Sequence, residues 1–167
     1  MAIRPLVYYP DPRLRQVAAP VTVFDAALAS LADDLLETMR AAPGIGITAP
    51  HIGVSLRLVV LELSAEDGVR IYVNPEILET AGETRTHPEG SVSMPGVLDE
   101  IERPARVTIR YQDLTGTPHE QSAEGLLAVC LLHEIDQLDG IFWLQRLSRL
   151  KRERVVKRYE KLRRQGR

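Results

Sequence analysis

Residues 131–140 read LLHEIDQLDG. This is close to the H-E-x-x-H helix of zinc hydrolases. In the intact motif two histidines four residues apart share one helix face and one metal ion, while the glutamate between them works on the bound water. Here Gln137 stands where the second histidine belongs. An amide is a weak donor for iron or zinc, so the stretch by itself reads either as a depleted metal site or as a satisfied polar pair, His133 and Glu134, near the end of a helix. Cys130, one turn earlier, lies in an apolar run and is expected to pack rather than to serve as a thiolate.

The segment SAEGLLAVCLLHEIDQLDG must position these groups. It predicts a helix opening at a Ser122 cap and closing at Gly140, apolar on every side between Leu126 and Leu132 and therefore buried. An ionised carboxylate following seven apolar residues is costly unless paired or held near solvent. Earlier, VFDAALASLADDLLETMRAAPGIG predicts an amphipathic helix. Asp25 is its N-cap, Leu28, Leu31, Ala32, Leu35 and Met39 form its buried stripe, and Pro43 and Gly44 end it. Strand patterns occupy residues 56–63, 69–75 and 105–113, divided by turn signals at Asp67-Gly68 and Thr115-Gly116. The expected class is α+β, with strands covering a central buried helix.

At 167 residues, 44% hydrophobic and 26% charged, the chain fits one domain, with residues 1–145 as the body and 146–167 as a terminal helix of the same domain. No apolar run approaches the roughly 20 residues of a membrane span. The first residues carry no export-signal pattern, and the single cysteine excludes an internal disulfide, so a cytoplasmic protein is expected. The net charge of −2 conceals an asymmetry: residues 146–167 hold 11 Lys and Arg against 2 acidic residues, and the body 10 against 21. With Leu147, Leu150, Val155 and Leu162 at helical intervals, the tail reads either as a surface for RNA or the ribosome or as a solvated helix offsetting an acidic body.

Three stretches, GIGITAPHIG at 44–53, EGSVSMPG at 89–96 and HEIDQLDG at 133–140, together resemble the three motifs of the peptide deformylases, in that family's order and spacing. Those metalloenzymes remove the formyl group from the initiator methionine of nascent chains, using ferrous iron or zinc. The resemblance runs along the whole chain. It implies a peptide deformylase-like fold, with antiparallel strands wrapped around the helix bearing His133-Glu134, an N-terminal helix and a basic C-terminal helix. It also implies roles position by position. Ser91 falls on the cysteine ligand, His133 and Gln137 on the histidine ligands, and Glu134 on the general base. His51 falls on the oxyanion-stabilising glutamine, and Val92 on the residue supplying a backbone amide.

Serine and glutamine are poor replacements for a thiolate and an imidazole, so no tightly bound metal is expected and deformylase activity should be very low or absent. Ser91 and Gln137 can hydrogen-bond to each other, to His133 or to water, keeping an emptied cavity open. Two routes to an active hydrolase remain: His51 joining His133 as a rebuilt metal site, or Ser91 and His133 closing into a nucleophile and base pair. Separately, Ile45, Gly46, His51, Val92 and His133 match the family's substrate-binding positions. Binding of nascent-chain N-terminal peptides without turnover is therefore a third expectation.

Overall fold

The computed structural model describes residues 2–166. Helix α1 spans Ala26–Ala41, and the Asp25 carboxylate caps it by accepting from the Leu28 amide. Leu28, Ala32, Leu35 and Met39 are buried beneath it as the periodicity predicts. Five antiparallel strands follow in sequence order: β1 (Gly46–Thr48), β2 (Leu58–Leu61), β3 (Arg70–Ser91), β4 (Met94–Gln112) and β5 (Pro118–Glu124). The residue order is also the spatial order, so β1 is an edge strand.

The predicted strands at 69–75 and 105–113 are only the roots of one long hairpin. β3 and β4 continue to a two-residue turn, Val92-Ser93, closed by pairing of Ser91 with Met94. Register shifts along the hairpin, one of them beside Gly82 at φ +82°, add twist that a flat ladder lacks. That twist lets the sheet wrap around helix α2 (Gly125–Leu138), which touches every strand. Ser122 does not cap α2. It lies in β5, its hydroxyl bonded to Thr108 at 3.0 Å, because the strand continues to Glu124 and the helix starts abruptly at Gly125, φ +63°. Gly140, φ +77°, ends the helix as expected.

Helix α3 spans Arg149–Gln165, capped by Ser148. Its buried stripe is Val155 and Tyr159, with Leu162 partly buried, packed with Trp143, Met94 and Ile101. Leu150, expected in that stripe, is 65% exposed, because the stripe runs from Leu147 across the helix start to Val155 and Tyr159. No helix among the described residues is long and apolar enough to cross a membrane.

Candidate active site

A cleft of about 500 Å³ opens beside α2. Leu126, Val129, Cys130, His133 and Glu134 form its floor, the Gly44–Gly46 backbone one wall, and the β3–β4 hairpin tip the other. Leu126 is 40% exposed although it begins the apolar run, because this side of α2 faces the cleft rather than the sheet.

The edge strand gives the first wall a specific chemistry. The Glu62 amide donates to the Ile45 carbonyl at 2.9 Å, and Gly46 sits opposite Leu61. Because hydrogen-bonded and non-bonded pairs alternate along an antiparallel ladder, the N–H and C=O of Gly46 turn away from β2. They face the cleft, where an extended peptide can add as a strand. A Cβ at Gly46 would lie 2.9 Å from both Glu134 Oε2 and Leu61 Cδ2, so glycine lets the backbone pass directly over the carboxylate.

His133 is held from behind. Its Nδ1 lies 2.8 Å from Glu89 Oε1, and Arg103 clasps both Glu89 oxygens. Arg103 also reaches Asp136 at 3.0 Å, and Arg146 closes the chain on Asp136 at 2.8 and 2.9 Å. Burial opposes charge on Glu89, but the His133 and Arg103 hydrogen bonds outweigh it and hold its pKa below the usual carboxylate value. For His133 burial likewise opposes charge, and the Glu89 hydrogen bond together with Glu134 raises its pKa above 6.5. The accepting carboxylate leaves Nδ1 protonated and turns Nε2 toward Glu134 Oε1, 3.8 Å away.

Glu134 is 2% exposed, and burial pushes its carboxyl up to about 7. Its Oε1 faces His133 Nε2 at 3.8 Å and accepts no hydrogen bond from the protein. His51 sits on the short helical turn Ala49–Ile52 that follows β1, 1% exposed. The Thr48 backbone N–H donates to His51 Nδ1 at 2.9 Å, with the Thr48 hydroxyl also at 2.9 Å. A backbone amide can only donate, so Nδ1 must be the bare nitrogen and Nε2 must carry the hydrogen. Burial and the neighbouring His133 lower the His51 pKa to about 3, so the ring is neutral, and its Nε2–H has no partner.

The remaining positions are engaged elsewhere. Ser91 Oγ accepts from the Ser93 amide at 3.1 Å, and Gln137 Nε2 donates to the Leu14 carbonyl at 2.7 Å. Of the partners open to them, Ser91 and Gln137 do not take each other, because Gln137 Nε2 is committed to the N-terminal segment. His133 has the orienting carboxylate that a Ser91 dyad requires, yet Ser91 makes no hydrogen bond to it. Cys130 packs in the core cluster around Leu131 and Ile135, and burial first, then Glu134, pushes its thiol up to about 12. Val92 lines the cleft at the hairpin turn, packed over Gly44. Among the described residues no three His, Cys, Asp or Glu side chains gather as a metal-holding group.

Sequence reasoning placed His51, Ser91, His133 and Glu134 around one cleft, and missed Thr48, Glu89, Arg103, Asp136 and Arg146. Glu89 and His133 are 44 positions apart and meet only through the hairpin's return. A Glu within the second motif was the available signal.

A twisted antiparallel sheet around a helix bearing a His-Glu pair, beside an open strand edge, defines a protein with the architecture of a peptide-processing hydrolase. The family model described as polypeptide deformylase matches residues 3–153, and the chain belongs to that family. It is 66% identical over 164 residues to a peptide deformylase-like protein of Brucella melitensis, covering 98% of this chain and 100% of that one. It is 67% identical over 162 residues to a peptide deformylase-like protein of Bradyrhizobium diazoefficiens, covering 97% and 95%. The crystal structure of a peptide deformylase from Legionella pneumophila superposes with a TM-score of 0.93 at 42% identity, covering 99% of this chain and 98% of that one.

Proposed function

We propose that this chain is a deformylase-family protein that keeps the peptide cleft and Glu134 but has lost the metal centre, and with it most or all deformylase activity. The observation that carries the reading is the commitment of the would-be donors. The donor set does not fit a resident iron or zinc ion. Ser91 offers a neutral hydroxyl already accepting a backbone N–H. The Gln137 Nε2–H is spent on the Leu14 carbonyl, and Gln137 does not line the cleft. His51 cannot replace them, because its cleft-side nitrogen holds a hydrogen that the Thr48 amide prevents from moving to Nδ1. One imidazole, His133, is left, and several kcal/mol of ligation are lost relative to the roughly 10–16 kcal/mol of a full structural zinc site.

The test pairs metal analysis of protein purified without chelator with turnover of a formyl-Met peptide in added ferrous, cobalt or nickel ions. Less than a tenth of an equivalent of metal and turnover at least a hundredfold below an ordinary deformylase are expected. Stoichiometric metal with ordinary turnover would end this reading.

A second reading concerns α3. Val155 and Tyr159 face inward, leaving Arg152, Arg154, Lys157, Arg158 and Lys161 exposed. That face supports contact with RNA phosphates, on the ribosome or elsewhere. Binding should weaken steeply with salt and drop on Arg154→Glu with Arg158→Glu. Salt-independent binding, or equal binding by the double variant, would remove it.

A further inference from the structure

Three residues near the start of the chain bridge the two sides of the cleft. The Val7 N–H donates to the His51 carbonyl at 2.8 Å, and the Tyr9 N–H donates to the Ser93 carbonyl at 2.9 Å. His51 lines the cleft on the turn after β1, and Ser93 lies at the hairpin tip between Val92 and Met94, which line it from the other side. Amide nitrogens two residues apart can be separated by no more than about 7 Å of chain. The tripeptide therefore limits how far the two carbonyls can part. The walls it joins also touch. A Cβ at Gly44 would lie 2.7 Å from Val92 Cγ1, so the hairpin tip rests on the bare backbone of the first wall.

Helix α3 grips the same tripeptide at Tyr9. The Tyr9 ring stacks on Phe142 with centroids 5.7 Å apart and meets Tyr159 edge-on at 6.1 Å. Arg163 lies over the Tyr159 ring, 5.5 Å from its centre, and donates to the Tyr9 carbonyl at 3.2 Å. Val7 is 4% exposed in the cluster that contains Tyr159 and Met94. The residue whose amide holds the hairpin tip is thus held at its ring and its carbonyl by the basic helix. We propose that Val7–Tyr9 is a crosspiece that sets the width of the cleft, and that α3 governs it through Tyr159 and Arg163. Where α3 loosens its hold on Tyr9, the hairpin tip lifts from Gly44 and the cleft opens. An anion that draws Arg163 away from Tyr9 then acts on the cleft without entering it. The device operates whether or not the cleft turns over a peptide.

Cys130, the single cysteine, lines the cleft at 8% exposure and serves as the reporter. A reagent reaches a buried thiol in proportion to the population of the open state. The experiment measures the rate at which N-ethylmaleimide labels Cys130 in the full folded chain, with hydrogen exchange of residues 46–52 and 92–98 read by mass spectrometry on the same samples. Tyr9→Ala should raise the labelling rate roughly tenfold and Arg163→Ala roughly threefold, each with faster exchange in both segments. Arg164→Ala, which removes a neighbouring charge, should leave the rate unchanged. Leu28→Ala trims a buried cluster that contains neither Val7 nor Tyr9, and should change the rate less than about twofold. An unchanged rate in Tyr9→Ala or Arg163→Ala overturns the inference, as does a rise in Leu28→Ala equal to that in Tyr9→Ala, or one in Arg164→Ala equal to that in Arg163→Ala. Arg163 is exposed, so its variant folds and decides the matter even where Tyr9→Ala does not.

Discussion

Arg103 holds Glu89 by two hydrogen bonds, 2.6 Å from Nε and 2.9 Å from Nη2, where neither side chain is more than 7% exposed. Glu89 in turn holds the His133 imidazole by its Nδ1, so the pair orients the ring at the cleft. Breaking such a buried pair leaves an uncompensated charge and costs about 3–5 kcal/mol. Arg103→Leu should lose stability in that range by urea denaturation. Glu89→Gln should in addition lower the His133 pKa, read by NMR titration of the imidazole. An unshifted imidazole in Glu89→Gln would separate Glu89 from the positioning of His133.

Stability should respond to pH through Glu134. Burial raises its carboxyl from 4.5 to about 7, so the folded state binds this proton more tightly than the unfolded chain does. Its contribution therefore worsens as pH rises from about 4.5 to about 7 and is fully unfavourable above that, at a cost on the order of 3 kcal/mol. Glu134→Gln removes the ionisation. The stability of that variant relative to the parent should climb between pH 5 and pH 8 in denaturation curves, whereas parallel curves would contradict the buried-charge account.

Restoring the family's ligands should restore chemistry. Ser91→Cys, Gln137→His and His51→Gln together should take up about one equivalent of iron, cobalt or zinc and raise formyl-Met peptide turnover at least a hundredfold. Gln137→His alone should bind little metal and should lose about 1 kcal/mol by giving up the Leu14 hydrogen bond. Full metal loading by that single variant would show that Ser91 is an adequate ligand.

Helix α3 should be anchored by few residues. Tyr159 is 3% exposed among Tyr9, Trp143 and Val155, so Tyr159→Ala should cost roughly 3 kcal/mol. Leu150 is exposed, and Leu150→Ala should stay within about 0.5 kcal/mol in the same denaturation experiment.

How much of the fold is legible in the sequence depends on range. The α1 cap at Asp25 and the stop at Gly140 were legible, since each is decided within one helical turn. Three short motifs placed Ser91, His51 and Glu134 together, because a family pattern carries tertiary information that periodicity lacks. The full length of β3 was hidden. Residues 78–87 are mostly exposed polar positions with no alternation, and they are held as strand by pairing with β4 rather than by their own pattern. The His51 tautomer was equally out of reach, since it turns on the direction of one backbone amide at Thr48. The five-membered chain from His133 to Arg146 joins separated parts of the molecule, so only folding assembles it.

Gln137 links two distant parts of the chain. Its amide is bonded across 123 positions to Leu14, tying the beginning of the molecule to the helix at its centre. One side chain of the helix that bears the His-Glu pair thus also fastens the segment around Leu14. The floor of the cleft and the seating of the N-terminal segment are therefore mechanically linked, because both depend on where helix α2 lies.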